Sequence, residues 1–350
     1  MRHAIGLLAI SLSALSALSA LSAHADPRAP TPAPAPPKAD AAAISERAAL
    51  LAPIQVDSLT LTPIVAAAGG GPQAELLVLD EAMAAGQVKI SEGARESVND
   101  LTLINSSDRP VFVLAGEVII GGKQDRIIGA NTIIPPKTTL SVPVYCVEHG
   151  RWDNSGKTFT TAKALAHGRL RGKASFEAQG EVWKEVAAKN LKRKTVNATD
   201  TYRTVARQQS DGTLTGWQKQ IDAALAKLPA ADRGRMIGYV VALNGQVATV
   251  DMFQSPALFG KLEGKLLRSY MTEAVDVAAA KEIKPPTPAA VKAFMADVDK
   301  AAEQRAYENK AARTKIKKGD RAGKASVDFA GEAVQDAKPA PAVYETYQAH

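Results

Sequence analysis

One cysteine in 350 residues, Cys146, excludes an intramolecular disulfide framework and any cysteine-based metal cluster. Aromatic residues make up 5% of the chain, too few for the stacking surfaces of single-strand nucleic-acid binders, so nucleic acid is an unlikely partner. The five histidines include no pair at i, i+4, and so give no helical zinc motif. Walker A, G-x-G-x-x-G and G-x-S-x-G patterns are all missing. Neither a metal nor an organic cofactor is expected. Beyond the first 25 residues no apolar run reaches the length of a membrane span.

What is present is ordinary for a globular chain: 46% hydrophobic and 23% charged residues, with room for one large or two ordinary domains. The N-terminus reads as a secretory signal peptide. Arg2 supplies the positive region, Ala4 to Leu21 the apolar run, and Ala23-His24-Ala25 the small residues of a cleavage site. A retained membrane anchor is the competing reading. Cleavage near Ala25 makes the protein exported, either periplasmic or secreted, and predicts a mature chain beginning at Asp26. Residues 26–45 are a Pro/Ala tether. An α+β core is expected over 46–285, a helix with a basic end over 286–321, and a tail of returning strands or disordered chain over 322–350.

Strands are expected at Ser58–Val65, Glu75–Leu79 and throughout Val98–Val147, where β-branched residues alternate with turn residues. Gly69-Gly70-Gly71-Pro72 reads as a flexible turn. Thr158–Arg207 is polar and helix-prone, with twelve basic against four acidic residues between Lys157 and Arg207, a local +8. Asn244-Gly245 marks a type I′ hairpin, and Ser255-Pro256 and Thr287-Pro288 mark helix starts. Strands and helices are segregated, so the expected fold is α+β with an antiparallel sandwich or barrel-like sheet.

Leu114–Trp152 places charge on β-patterned chain. Glu117 lies within a strand, Lys123-Gln124-Asp125-Arg126 follows Gly121-Gly122, and Cys146, Glu148, His149, Arg151 and Trp152 end a later strand. Period-two alternation would put Lys123 with Asp125 and Gln124 with Arg126. If the two strands are neighbours, Glu117, Lys123, Gln124, Arg126, Glu148 and Arg151 line one polar pocket beside Trp152. The competing reading is a set of mutually satisfied ion pairs.

LAGEVIIGGKQDR and VPVYCVEHGRW together, with Trp183–Val186 and GYVVALNGQVATVDMFQSPALFGKLEGKLLRSY, resemble the domain family named for its association with ADP-ribosylglycohydrolases and rhodanese-phosphatase proteins. The resemblance spans Ser45 to Asp276. It implies a neighbourhood of ADP-ribose or nucleotide-derived chemistry and supplies no mechanism. The leading expectation is therefore a site for an anionic small molecule, with Arg126 and Arg151 as phosphate forks and Lys123 as a point charge. One alternative is an enzyme that uses Cys146, at C-x4-R from Arg151, as a nucleophile, or Glu117 and Glu148 as an acid/base pair. Another is an envelope-associated structural or interaction protein drawn to an anionic surface by net positive charge.

Overall fold

The hairpin expected at Asn244-Gly245 forms the middle of the molecule. Met236–Leu243 and Gln246–Phe253 pair antiparallel, and the turn residues adopt φ of 48° and 80°, the left-handed pair a type I′ turn requires. The computed structural model describes residues 44–67, 75–92, 98–152, 159–210, 212, 214–330 and 342–350. The expected signal peptide, the expected tether up to residue 43 and the expected Gly69–Pro72 turn lie outside these residues.

The hairpin sits inside a nine-stranded sheet. Its order is Ala48–Leu50, Leu59–Ala66, Met236–Leu243, Gln246–Phe253, Ala342–Ala349, Ala322–Phe329, Ala312–Lys318 and Glu303–Glu308, with Ile54–Val56 paired onto Leu59–Ala66. A six-stranded sheet runs Phe159–Leu165, Glu117–Gly121, Arg126–Ile128, Thr138–Cys146, Asp100–Asn105 and Val88–Glu92. A small third sheet joins Thr132–Ile134, Val111–Val113 and Leu77–Val78, the last two forming the parallel pairing among otherwise antiparallel ladders. The fold is α+β with an antiparallel β-rich core.

The helix Pro256–Ala274 lays Phe259, Leu262, Leu266 and Tyr270 into a core shared with Leu59, Phe112, Tyr239, Phe253 and Tyr344. The six-stranded sheet is covered on both faces. Ile119, Ile128 and Val144 pack with Leu101 and Phe159 on one side, while Val118 and Ile127 meet Leu170, Val182, Val186 and Tyr202 on the other. Two-sided burial is why this stretch reads as an almost continuous apolar run. Any polar side chain on it therefore requires a partner.

Two expectations are corrected. The helix-prone segment opens with a strand, Phe159–Leu165, whose Thr160 and Thr161 pair with Ile120 and Ile119; helices Gly168–Phe176, Gln179–Arg193 and Arg203–Gln208 follow. The helix Pro288–Asp299 stops short of the basic stretch, which forms strands. In Ala312–Lys318 the residues Ala312, Thr314 and Ile316 are buried while Arg313 is exposed and Lys315 and Lys317 half-buried, so a period of two lay hidden under the charge. Of the two readings of the tail, the returning strands are present: Ala322–Phe329 and Ala342–Ala349 join the large sheet. Among the described residues no helix is long and apolar enough to cross a membrane.

Candidate functional site

Gly121 and Gly122 end one strand, and residues 122–125 form the turn into Arg126–Ile128, so the expected alternation does not hold there. Gly122 has φ of 56°, and a Cβ on it would lie 2.1 Å from the Phe159 ring, which only glycine avoids. The turn carries both Gln124 and Asp125 to Glu148. The Gln124 side-chain amide donates to the Glu148 carbonyl (2.8 Å), and the Asp125 backbone N–H donates to Glu148 Oε2 (3.0 Å).

Arg151 closes this cluster. Its Nε donates to Glu148 Oε2 (2.9 Å), Nη1 to the Gly122 carbonyl (2.9 Å), and Nη2 reaches Asp125 Oδ1 (3.4 Å). Arg203 clamps Asp125 from the other side through two bonds of 2.9 and 2.6 Å. Thr201 donates to Asp125 Oδ2 and Thr199 to Glu148 Oε1, each at 2.9 Å. Two carboxylates and two guanidinium groups thus satisfy one another. Fork-shaped donors suit such paired geometry.

Trp152 lies at the rim, 53% exposed, with Lys123 Nζ 5.1 Å from its ring centroid. His149 meets the Trp183 ring edge-on at 4.5 Å between centroids. Gln179 is bonded to both backbone groups of Cys146, accepting from its N–H and donating to its carbonyl at 2.8 Å each. The glycine turn, the Cys146–Trp152 segment and the Trp183 helix thus meet at one corner of the six-stranded sheet. Residues 47–337 match the ARG and Rhodanese-Phosphatase-superfamily-associated Protein domain, ARPP-1.

The chain belongs to the ARPP-1 family. No curated protein and no solved structure matches it. The match reaches residue 337, beyond the Asp276 limit read from the motifs, so the ARPP-1 domain includes the helix Pro288–Asp299 and the strands Glu303–Glu308, Ala312–Lys318 and Ala322–Phe329.

Arg126 and Cys146 occupy a different position from the cluster. They are cross-strand partners and both are buried. Arg126 keeps a long contact from Nη1 to the Asp125 carbonyl (3.4 Å), while Nε and Nη2 have no hydrogen-bond partner. Burial pushes the Cys146 thiol up despite the Arg126 charge beside it. That shift is opposite to the one that makes a cysteine nucleophilic.

Glu117 and Glu148 do not form a pair. By register Glu117 lies level with Ile128 and Val144, while Glu148 is four residues past Val144, about 13 Å along the strand direction. Glu117 instead pairs with Lys265, whose Nζ lies 2.6 Å from Glu117 Oε1 and 2.5 Å from Asp80 Oδ2.

Several polar residues of the ARPP-1 domain escaped the sequence reading. Asp125 and Arg203 stand 78 residues apart, and no local pattern links them. Arg171 is buried against Asp251 (3.0 and 3.2 Å), with Tyr344 and Tyr270 bonded to the same carboxylate. Burial opposes ionisation of Asp251, but Arg171 overrides it and holds the carboxyl below its ordinary range. Gly116 makes room for this arginine, since a Cβ there would lie 2.5 Å from Arg171 Cγ. Among the described residues, a groove of about 950 Å³ opens beside Arg233–Met236 and the start of the Pro256–Ala274 helix; none of the sequence-predicted site residues lines it.

Proposed function

We propose that this ARPP-1 protein is exported and binds an anionic, nucleotide-derived small molecule at the Lys123–Trp152 corner of the six-stranded sheet. The observation that carries the reading is Trp152 itself. An indole left half exposed beside a cation offers a flat apolar face for a base or sugar and a positive charge for phosphate. The Gln124–Asp125–Glu148–Arg151–Arg203 cluster supports this corner by fixing the chain on both sides of it. In this role Arg151 and Glu148 position Trp152, and Lys123 meets the anion.

The test uses the exported, processed protein, whose N-terminus is expected at Asp26 by sequencing. Calorimetric titration with ADP-ribose and AMP is expected to give saturable binding. Trp152→Ala and Lys123→Ala should each weaken it about tenfold, as loss of a stacking face or a charge-assisted contact would. The melting temperature of Trp152→Ala should stay nearly unchanged because the indole is 53% exposed. Absence of binding to the wild type, or unchanged binding by Trp152→Ala, would overturn the assignment.

A further inference from the structure

We propose that the C-terminal end of the helix Gln179–Arg193, with Leu191, Lys192, Lys194 and Val196 at its tip, docks the protein onto an anionic lipid bilayer. This surface does not use Trp152 or Lys123, and the proposal stands whether or not they bind a nucleotide.

Leu191 and Val196 are the two most exposed large hydrophobic side chains among the described residues, at 71% and 69%. They lie on either side of one helix end. Lys194 takes the left-handed conformation there (φ 55°), its N–H bonds the Leu191 carbonyl, and the Thr195 N–H returns to the Asn190 carbonyl at 2.8 Å. Thr195 is buried, its hydroxyl 2.9 Å from Asn190 Oδ1, so the next residue, Val196, turns outward. Within the helix, Ala187, Ala188, Leu191 and Lys192 share the exposed face. The outward face of a surface helix is normally its polar side. Here it is alanine, leucine and lysine.

The charges around this helix end are sorted by sign. Asp276 accepts from Lys189 and Arg193 (2.9 and 3.3 Å), Asp200 accepts from Asn190 (2.9 Å), and Glu185 faces His167 (2.9 Å). Glu181 sits at the opposite end of the helix, bonded to Lys184 (2.6 Å). Lys192 and Lys194 are exposed and, among the described residues, form no hydrogen bond or ion pair. The basic surplus between Lys157 and Arg207 thus divides in two. Arg171, Lys189, Arg193 and Arg203 neutralise acids within the fold, while Lys192 and Lys194 flank bare aliphatic side chains.

That combination selects the partner. Aliphatic tips between free ammonium groups match the boundary of an anionic bilayer, where leucine and valine enter the acyl edge and lysines remain among the phosphates. Lysine stems can lie along apolar surface while their charges stay wet. A protein partner calls for other residues. Lysine is depleted from protein interfaces, and their anchors are tryptophan, tyrosine and arginine. The one arginine at this end, Arg193, is held by Asp276 and Gln208.

The experiment floats the processed chain with vesicles of phosphatidylcholine alone and of phosphatidylcholine mixed with phosphatidylglycerol. Binding is expected to the mixed vesicles only, and should fall as salt is raised. Leu191→Ser combined with Val196→Ser should weaken it about tenfold or more. Lys192→Gln and Lys194→Asn should each weaken it about fivefold. Melting temperatures should stay nearly unchanged, since all four side chains are exposed and asparagine accepts the left-handed conformation at residue 194. Lys219→Gln combined with Lys227→Gln removes two exposed lysines elsewhere and should bind as the wild type does. Trp152→Ala should also bind vesicles normally, while the Leu191/Val196 variant keeps any nucleotide binding, so the two readings fail separately. No binding to mixed vesicles, unchanged binding by the Leu191/Val196 variant, or an equal loss in the Lys219/Lys227 variant would overturn the proposal. Retention on polyglutamate but not on vesicles would overturn it in favour of an acidic protein partner.

Discussion

His167 is sealed from solvent, with Tyr202 at Nδ1 and Glu185 at Nε2, each 2.9 Å away. The Tyr202 oxygen already accepts the His167 backbone N–H, so its own proton goes to Nδ1 and the ring carries its hydrogen on Nε2, facing Glu185. Burial first, and the charge of Lys189 second, push the imidazole pKa down to about 3. The sign follows from linkage. Between about pH 6.5 and 3 the unfolded chain binds a proton on this group that the folded chain refuses. The stability this group contributes is therefore complete above pH 6.5 and falls, by about 1.4 kcal/mol per pH unit at most, as pH drops through that window. Glu185, raised by burial, works in the opposite direction. His167→Gln should flatten the acid limb of a stability–pH curve measured by denaturant unfolding, and an unchanged slope would refute the assignment. A single histidine whose partners lie 18 and 35 residues away left no trace in the sequence.

Helix ends were the most legible elements. Ser255 accepts the Leu258 N–H at 3.2 Å and Thr287 accepts that of Ala290 at the same distance, each followed by proline in the first turn. The signal is local, three residues long, and needs no tertiary context. Ser255→Ala should cost about 1 kcal/mol, seen as a melting temperature lower by about 2 °C in a chain of this size. Strands fared less evenly. Apolar ones such as Val111–Val113 stand out, whereas Ala312–Lys318 reads as a fraying helix end because every second residue is a cation or polar group. For the site, the two motifs were visible, but nothing in either motif showed that their strands pair. The turn at residues 122–125 redistributed their side chains, sending Arg126 to Cys146 and bringing in Asp125, and Glu117 found its partner on a helix 148 residues away.

At the scale of the molecule, segregation of strands and helices along the chain sufficed for α+β, but strand order was beyond its reach. Ala342–Ala349 inserts between Gln246–Phe253 and Ala322–Phe329, bonded along both edges, with Val343, Tyr344 and Tyr347 buried. Deleting residues 342–350 should therefore abolish cooperative unfolding, measured by circular dichroism; a truncated chain that still melted in one sharp transition would contradict this role. The position of that strand also sets a timetable. On the ribosome, the sheet stays in two pieces until residue 349 has emerged, because the strand that joins them follows all its sheet neighbours in the sequence. Contacts spanning most of the chain close slowly, so the nascent polypeptide remains open while it is being made.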